Sequence, residues 1–261
     1  MSNSVLLRAP AKLTWSLEVG GRAANGLHRI DAEMMSIDLF DEIVLTPGAS
    51  GLTIAGSDET TMLVPDDETN LVAQALNLAG REASAVITKR IPVGGGLGGG
   101  SSDAAAVLRW ARFVDYDRAL KLGSDVPFCI SGGRARVRGF GEEVEVLRHL
   151  DRSVVLCLVP LGVNTAAVYQ VFDELDQSGT LRRGRNDLSH AAYLVEPRLE
   201  RVAQELSALS GAEVVVAGSG STLFVEGTKA QHGLGGMDTL CVDGLECRLV
   251  ECVSVKPEDI E

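Results

Sequence analysis

The chain reads as an α+β protein made of two units. Three observations carry that reading: short β-prone runs fill the first 60 residues, a strand, a glycine loop and a helix follow one another across 85–111, and a continuous apolar run at 154–160 opens a second alternation of helices and strands. With 261 residues, 45% of them hydrophobic, the chain can bury a substantial core.

In the first unit, Val5-Leu6-Leu7-Arg8-Ala9, Thr14 to Val19 and Ile43-Val44-Leu45-Thr46 read as strands, and Asn25-Gly26 is the clearest turn between them. Thr69-Asn70 caps a helix over Leu71 to Ala79, which Gly80 ends. Residues 85–91 alternate like a strand, and Ala104 to Ala111 form helix readily. An acidic break at Asp115-Tyr116-Asp117 precedes a second helical fragment that ends at Gly123. In the second unit, Val154 to Val159 is a buried strand stopped by Pro160. Helices are predicted over Thr165 to Leu175 and Pro197 to Leu209, strands over Glu213 to Ala217, after Thr222, and over Cys247 to Val255.

Thirty-six acidic against 24 basic residues give a formal charge of −12, which repels nucleic acid and anionic membranes. The basic pairs Lys89-Arg90 and Arg182-Arg183 read as solvated positions. No apolar run reaches membrane-span length and the N-terminus lacks a signal-peptide pattern, so a cytoplasmic location with no nucleic-acid or membrane partner is expected. The five cysteines, odd in number and never in C-x-x-C spacing, read as buried free thiols rather than disulfides or a zinc site.

The most telling segment is Pro92, Val93, Gly94, Gly95, Gly96, Leu97, Gly98, Gly99, Gly100, Ser101 and Ser102, where six of the chain's 29 glycines occupy seven positions. Lacking Cβ atoms, they let successive backbone N–H groups turn toward one anion, and Ser101-Ser102-Asp103 reads as the cap of the following helix, whose positive end faces the same point. A flexible linker would lack the strand before and the helix after. No Walker sequence is present, so another type of nucleotide triphosphate cradle is expected.

Three separated elements, Pro10-Ala11-Lys12, residues 92–102 and Gly218-Ser219-Gly220-Ser221-Thr222, occur in an order that resembles the GHMP superfamily of galactokinase, homoserine kinase, mevalonate kinase and phosphomevalonate kinase. Ala9 to Leu13, Gly26-Leu27-His28, Gly94 to Ser102, and Leu122-Gly123-Ser124-Asp125-Val126-Pro127-Phe128 followed by Gly132-Gly133 resemble the branch whose substrate is a cytidine diphosphate-linked polyol of non-mevalonate isoprenoid synthesis. The resemblance implies an ATP-binding domain like ribosomal protein S5 domain 2 over residues 1–150 and a ferredoxin-like domain over 151–261. It also implies ATP with Mg²⁺, phosphorylation of the polyol's 2-hydroxyl in the cleft, and a monomer or homodimer. A homoserine- or mevalonate-type kinase and an inactive nucleotide-binding homologue stay open as alternatives.

By the same resemblance, Asp125 is the base that takes the substrate hydroxyl's proton, although Ser124-Asp125-Val126-Pro127 on its own also reads as a helix cap. Lys12 is the cation that keeps Asp125 ionised. Its setting in an apolar run independently requires a buried partner, and Asp125 is the candidate. The resemblance places His28 and Tyr169 against the cytosine ring, although a turn histidine and a core tyrosine are the plainer readings. Thr14, Gly218 and Ser219 are further substrate-binding candidates. Leu27 and Thr14 stand where the family usually has tyrosine and asparagine, and 80–86 and the segment before Asp125 are shorter than usual. The magnesium ligand stays open, with Ser102 and Asp125 in suitable motifs.

Overall fold

The computed structural model describes residues 4–55 and 63–260. Two long antiparallel strands organise the first unit: β1 (Val5–Arg22) pairs along most of its length with β2 (His28–Pro47). The two runs expected before residue 20 are thus one strand through Pro10, which β1 accommodates because β2 is its one partner and the missing N–H is needed by no second neighbour. On the far side of β2, β4 (Ala83–Thr88) pairs with its end and β5 (Arg134–Gly139) with its start. β3 (Leu52–Ala55) and β6 (Glu143–Val146) complete the sheet, in the order β3-β4-β2-β5-β6 with β1 beside β2.

Register shifts at Pro10/Ala11 and Thr14/Ser16 reverse which face of β1 a residue presents. Ala9, Leu17 and Val19 accordingly join the large core, whereas Ala11, Leu13 and Trp15 join a second one. Lys12 and Thr14 lie between those, alternating with them and buried.

The helices of this unit follow their local signals. α1 (Leu71–Ala79) starts where Asn70 accepts the Val72 N–H at 2.8 Å and stops at Gly80, whose left-handed backbone closes the last turn. α2 (Gly99–Trp110) begins earlier than the Ser-Ser-Asp cap reading places it. Gly98 is its N-cap, and Ser102 and Asp103 are buried inside the helix, with Ser102 Oγ donating to the Pro10 carbonyl at 2.6 Å. Two short helices, α3 (Tyr116–Ala119) and α4 (Val126–Ser131), lead into β5.

The second unit is a five-stranded antiparallel sheet in the order β10-β11-β7-β9-β8, formed by β7 (Ser153–Leu158), β8 (Val215–Val216), β9 (Leu223–Glu226), β10 (Thr239–Val242) and β11 (Leu245–Val253). Three helices, α5 (Thr165–Ser178), α6 (Ser189–Val195) and α7 (Pro197–Ser210), connect β7 to β8.

The second core joins the units. It sets Ala11, Leu13, Trp15, Met35 and Ile37 against Leu156, Leu158, Val215 and Phe224. Backbone bonds cross at both ends, Leu17 N–H to the Arg185 carbonyl at 2.9 Å and Val255 N–H to the Ser36 carbonyl at 2.9 Å. Trp15 lies between the guanidinium groups of Arg152 and Arg185, at 3.9 and 3.8 Å from its ring centre. Four of the cysteines are buried and Cys241 is exposed, a departure from the all-buried reading. Burial pushes the Cys129 and Cys252 thiols up to about 12, so neither is a thiolate ligand near neutral pH.

Candidate active site

The register shifts in β1 aim Lys12 at the N-terminus of α4. Its Nζ lies 3.0 Å from Asp125 Oδ2 and donates to Thr14 Oγ1 at 3.2 Å. Asp125 occupies the N-cap position of α4 but makes no side-chain cap bond, so the plain capping reading is set aside. Its carboxylate faces Lys12 and is partly open to solvent.

The glycine loop closes over this pair. Lys12 N–H donates to the Leu97 carbonyl at 2.9 Å. A Cβ on Gly98 would stand 3.1 Å from Lys12 Cε and 3.5 Å from Asp125 Oδ2, on a left-handed backbone that disfavours side chains. The Gly218–Thr222 loop packs against the same ribbon: Thr222 N–H donates to the Gly95 carbonyl at 3.1 Å, and a Cβ on Gly96 would run into the Ala217 carbonyl oxygen.

Two cavities flank the pair. One, of about 370 Å³, is lined by residues 63–65, 69–71, Lys89, residues 91–101 and Asp103, so most of the glycine ribbon faces it. The other is a cleft of about 800 Å³ between the β1–β2 hairpin and α5, lined by Arg22, Leu27, His28, Ser124, Tyr169 and Asp173 among others. Asp125 follows Ser124, which lines the cleft, and lies against Gly98, which lines the smaller cavity, so the pair sits between residues that border the two.

In the cleft, His28 and Tyr169 stack on each other, with ring centres 5.3 Å apart and planes 23° from parallel. His28 Nδ1 contacts the Gly20 carbonyl at 3.0 Å, and Nε2 lies 3.0 Å from Asp173 Oδ1 without hydrogen-bond alignment. Burial, reinforced by Asp125, pushes the Tyr169 hydroxyl up to about 12, which keeps it a proton donor. Leu27, 57% exposed, stands at the rim.

Several sequence expectations need relocating. Thr14 is buried and serves Lys12 instead of lining the cleft. Gly218 lies over Lys12 and Thr14, and the Ser219 hydroxyl contacts that of Thr165 at 2.8 Å. Ser102 is spent on Pro10, as described above. Lys89, read as solvated, is buried between Asp41 and Asp103. Arg22, Phe140, Thr165, Gln170 and Asp173 line the cleft with no local sequence signal, because the two units bring them together from distant segments.

The fold and this constellation define a small-molecule kinase of the GHMP class, and residues 70–133 match the GHMP kinases N terminal domain. The chain is 36% identical over 236 residues to a 4-diphosphocytidyl-2-C-methyl-D-erythritol kinase of Paracoccus denitrificans (strain Pd 1222), covering 83% of this chain and 84% of that protein. It is 34% identical to the enzyme of that name from Bacillus mycoides (strain KBAB4), covering 84% and 87%. A crystal structure of 4-(cytidine 5'-diphospho)-2C-methyl-D-erythritol kinase superposes with a TM-score of 0.70 at 30% identity, covering 97% of this chain and all of the other. A homoserine kinase from Cytophaga hutchinsonii, at 16% identity and a TM-score of 0.67, shares the fold. The chain belongs to the 4-diphosphocytidyl-2-C-methyl-D-erythritol kinase family.

Proposed function

We propose that the protein transfers the γ-phosphoryl group of ATP to the 2-hydroxyl of 4-diphosphocytidyl-2-C-methyl-D-erythritol, a step of non-mevalonate isoprenoid synthesis. The observation that carries this reading is the Lys12–Asp125 pair at 3.0 Å, seated between a glycine-lined cavity and a nucleoside-sized cleft. Residues 1–150 form the ATP-binding domain and 151–261 the C-terminal domain, a division supported by the break between β6 and β7.

Asp125 accepts the proton of the attacking hydroxyl, a role worth about 10²–10⁴ in rate. Lys12 holds that carboxylate in place and offers positive charge to the oxygens that gain charge during transfer. Amides within residues 94–101 receive the phosphates, since the Ser102 N–H is donated to the Gly98 carbonyl at 2.8 Å. Magnesium bound with ATP would neutralise phosphate charge, with most of its ligands expected from phosphate oxygens and water, and Asp125 would be a carboxylate candidate to complete them. In the cleft, His28 and Tyr169 take the cytosine, with the Tyr169 hydroxyl as a donor. Ser219 and Thr165 border the polyol side. Among the described residues no helix is long and apolar enough to cross a membrane, and we place the enzyme in the cytoplasm with small molecules as its partners.

The test offers 4-diphosphocytidyl-2-C-methyl-D-erythritol, homoserine and mevalonate separately with MgATP. Turnover of the first alone, with the new phosphate at its 2-hydroxyl, is expected; turnover of only one of the other two overturns the assignment.

A further inference from the structure

Beneath the glycine loop lies a buried charge cluster that phosphoryl transfer does not use. Lys89 donates to Asp103 Oδ2 at 2.6 Å and also to Asp41. Asp41 is fully buried and accepts the N–H groups of Arg90 and Ile91 at 2.5 and 2.9 Å, so it is well satisfied. Asp103 has Lys89 alone, and its Oδ1 is buried without a partner. Two carboxylates thus share one ammonium, and one negative charge is left uncompensated when both are ionised.

That surplus charge lies under the cradle. Lys89 Nζ would be 3.3 Å from a Cβ on Gly99, and Lys89 and Asp103 line the same cavity as Gly94 to Ser101. Asp103 lies one turn into α2, directly behind the helix end that faces the loop.

We infer that Asp103 is a positioning residue that sets the strength of the phosphate cradle: its carboxylate opposes the nucleotide phosphates, and its neutral form favours them. The inference rests on reading residues 94–101 as that cradle. A weakened hold on the product nucleotide favours its release, a step that limits turnover in many enzymes. Burial pushes the Asp103 carboxyl up to about 7 against the pull of Lys89, with Asp41 adding to the rise, so both forms are populated near neutral pH. Around it, β2 brings Asp41, the end of β4 brings Lys89, and β1 brings Lys12, which Asp125 engages. α4 brings the neutral Cys129 thiol, and α1 brings no titratable side chain. Reciprocity then requires bound phosphates to push the Asp103 carboxyl higher still.

The experiment is calorimetric binding of MgADP to the wild type and to Asp103→Asn, which keeps an acceptor for Lys89, at about pH 6 and about pH 8. Taking the ratio of the two dissociation constants cancels the ionisation of the nucleotide itself. The expected ratio, wild type over variant, is near one at the lower pH and about fivefold or more at the higher. An equal ratio at both pH values, or weaker binding by the variant, overturns the inference. Should the variant fail to fold, a carboxyl NMR titration of the wild type decides: ADP must move the Asp103 midpoint upward, and an unmoved midpoint refutes the idea. A wild type that binds no ADP at either pH removes the cradle reading, and this inference with it.

Discussion

At the scale of single residues, the structure separates side chains that border the two cavities from those turned inward to hold others in place. Leu27 is the sharpest case, because it puts an exposed aliphatic side chain at the rim of the cleft proposed to take the cytidine. Leu27→Tyr is expected to lower KM for the cytidine substrate about fivefold or more, since stacking on a base is worth about 1–3 kcal/mol. The melting temperature should hardly move, because Leu27 is 57% exposed. Steady-state kinetics and a thermal melt check both halves. Gly96→Val carries a different expectation. Its side chain would strike the Ala217 carbonyl on a left-handed backbone, so a large loss of thermal stability is expected beyond any loss of nucleotide affinity. An unchanged melting temperature would contradict the packing of the two loops. Lys12 and Asp125 stood out in the sequence through motif and through the cost of burying a lone ammonium. Thr14 and Ser102 lie in the same motifs, but their hydroxyls turn inward to Lys12 and Pro10, an orientation no local pattern encodes.

At the scale of elements, the cap and stop of α1 were readable, the start of α2 was placed too late, and register was not readable at all. α1 has the boundaries that Asn70 and Gly80 prescribe. The bulges that turn Lys12 toward Asp125 leave no local mark, and β5 was missed although Arg134, Arg136 and Arg138 alternate with buried Ala135, Val137 and Gly139, because Ala and Gly make its apolar face a weak signal. Those arginines pair across the sheet, Arg134 with Glu33 at 2.8 Å and Arg136 with Asp31 at 2.5 Å. Asn70 links α1 to the glycine-lined cavity, since its amide donates to the Pro65 carbonyl at 2.7 Å while its oxygen caps the helix. Asn70→Ala is expected to cost about 1 kcal/mol of stability and to raise KM for ATP, with calorimetry and kinetics as the readouts. The buried cluster under α2 gives a pH signature. Folded Asp103 keeps its proton up to about 7, whereas an unfolded aspartate releases it near 3.8. The native state therefore binds more protons between those values, and this group's contribution to stability falls as pH rises through the window. Thermal melts across about pH 4 to 7 should show Asp103→Asn gaining on the wild type as pH rises; parallel curves would contradict it.

For the whole molecule, the two units are tied by the second core and by Trp15 held between Arg152 and Arg185. Neither sheet buries that core alone, so one cooperative unfolding transition is expected by calorimetry. Trp15→Ala should cost about 3–5 kcal/mol and lower the transition temperature, whereas two well-separated wild-type transitions would contradict the shared core. Composition and the apolar run at 154–160 made two units legible; the cleft between them was not, because its walls come from segments more than 100 residues apart, such as Leu27 and Tyr169. The central claim is that the carboxylate between the cavities takes the proton as phosphate is transferred. The most direct measurement is the single-turnover rate of Asp125→Asn with saturating MgATP and 4-diphosphocytidyl-2-C-methyl-D-erythritol, alongside its ATP affinity. A rate loss of about 10²-fold or more with affinity within about twofold of wild type is predicted; a wild-type rate, or a loss of affinity equal to the loss of rate, would contradict the account.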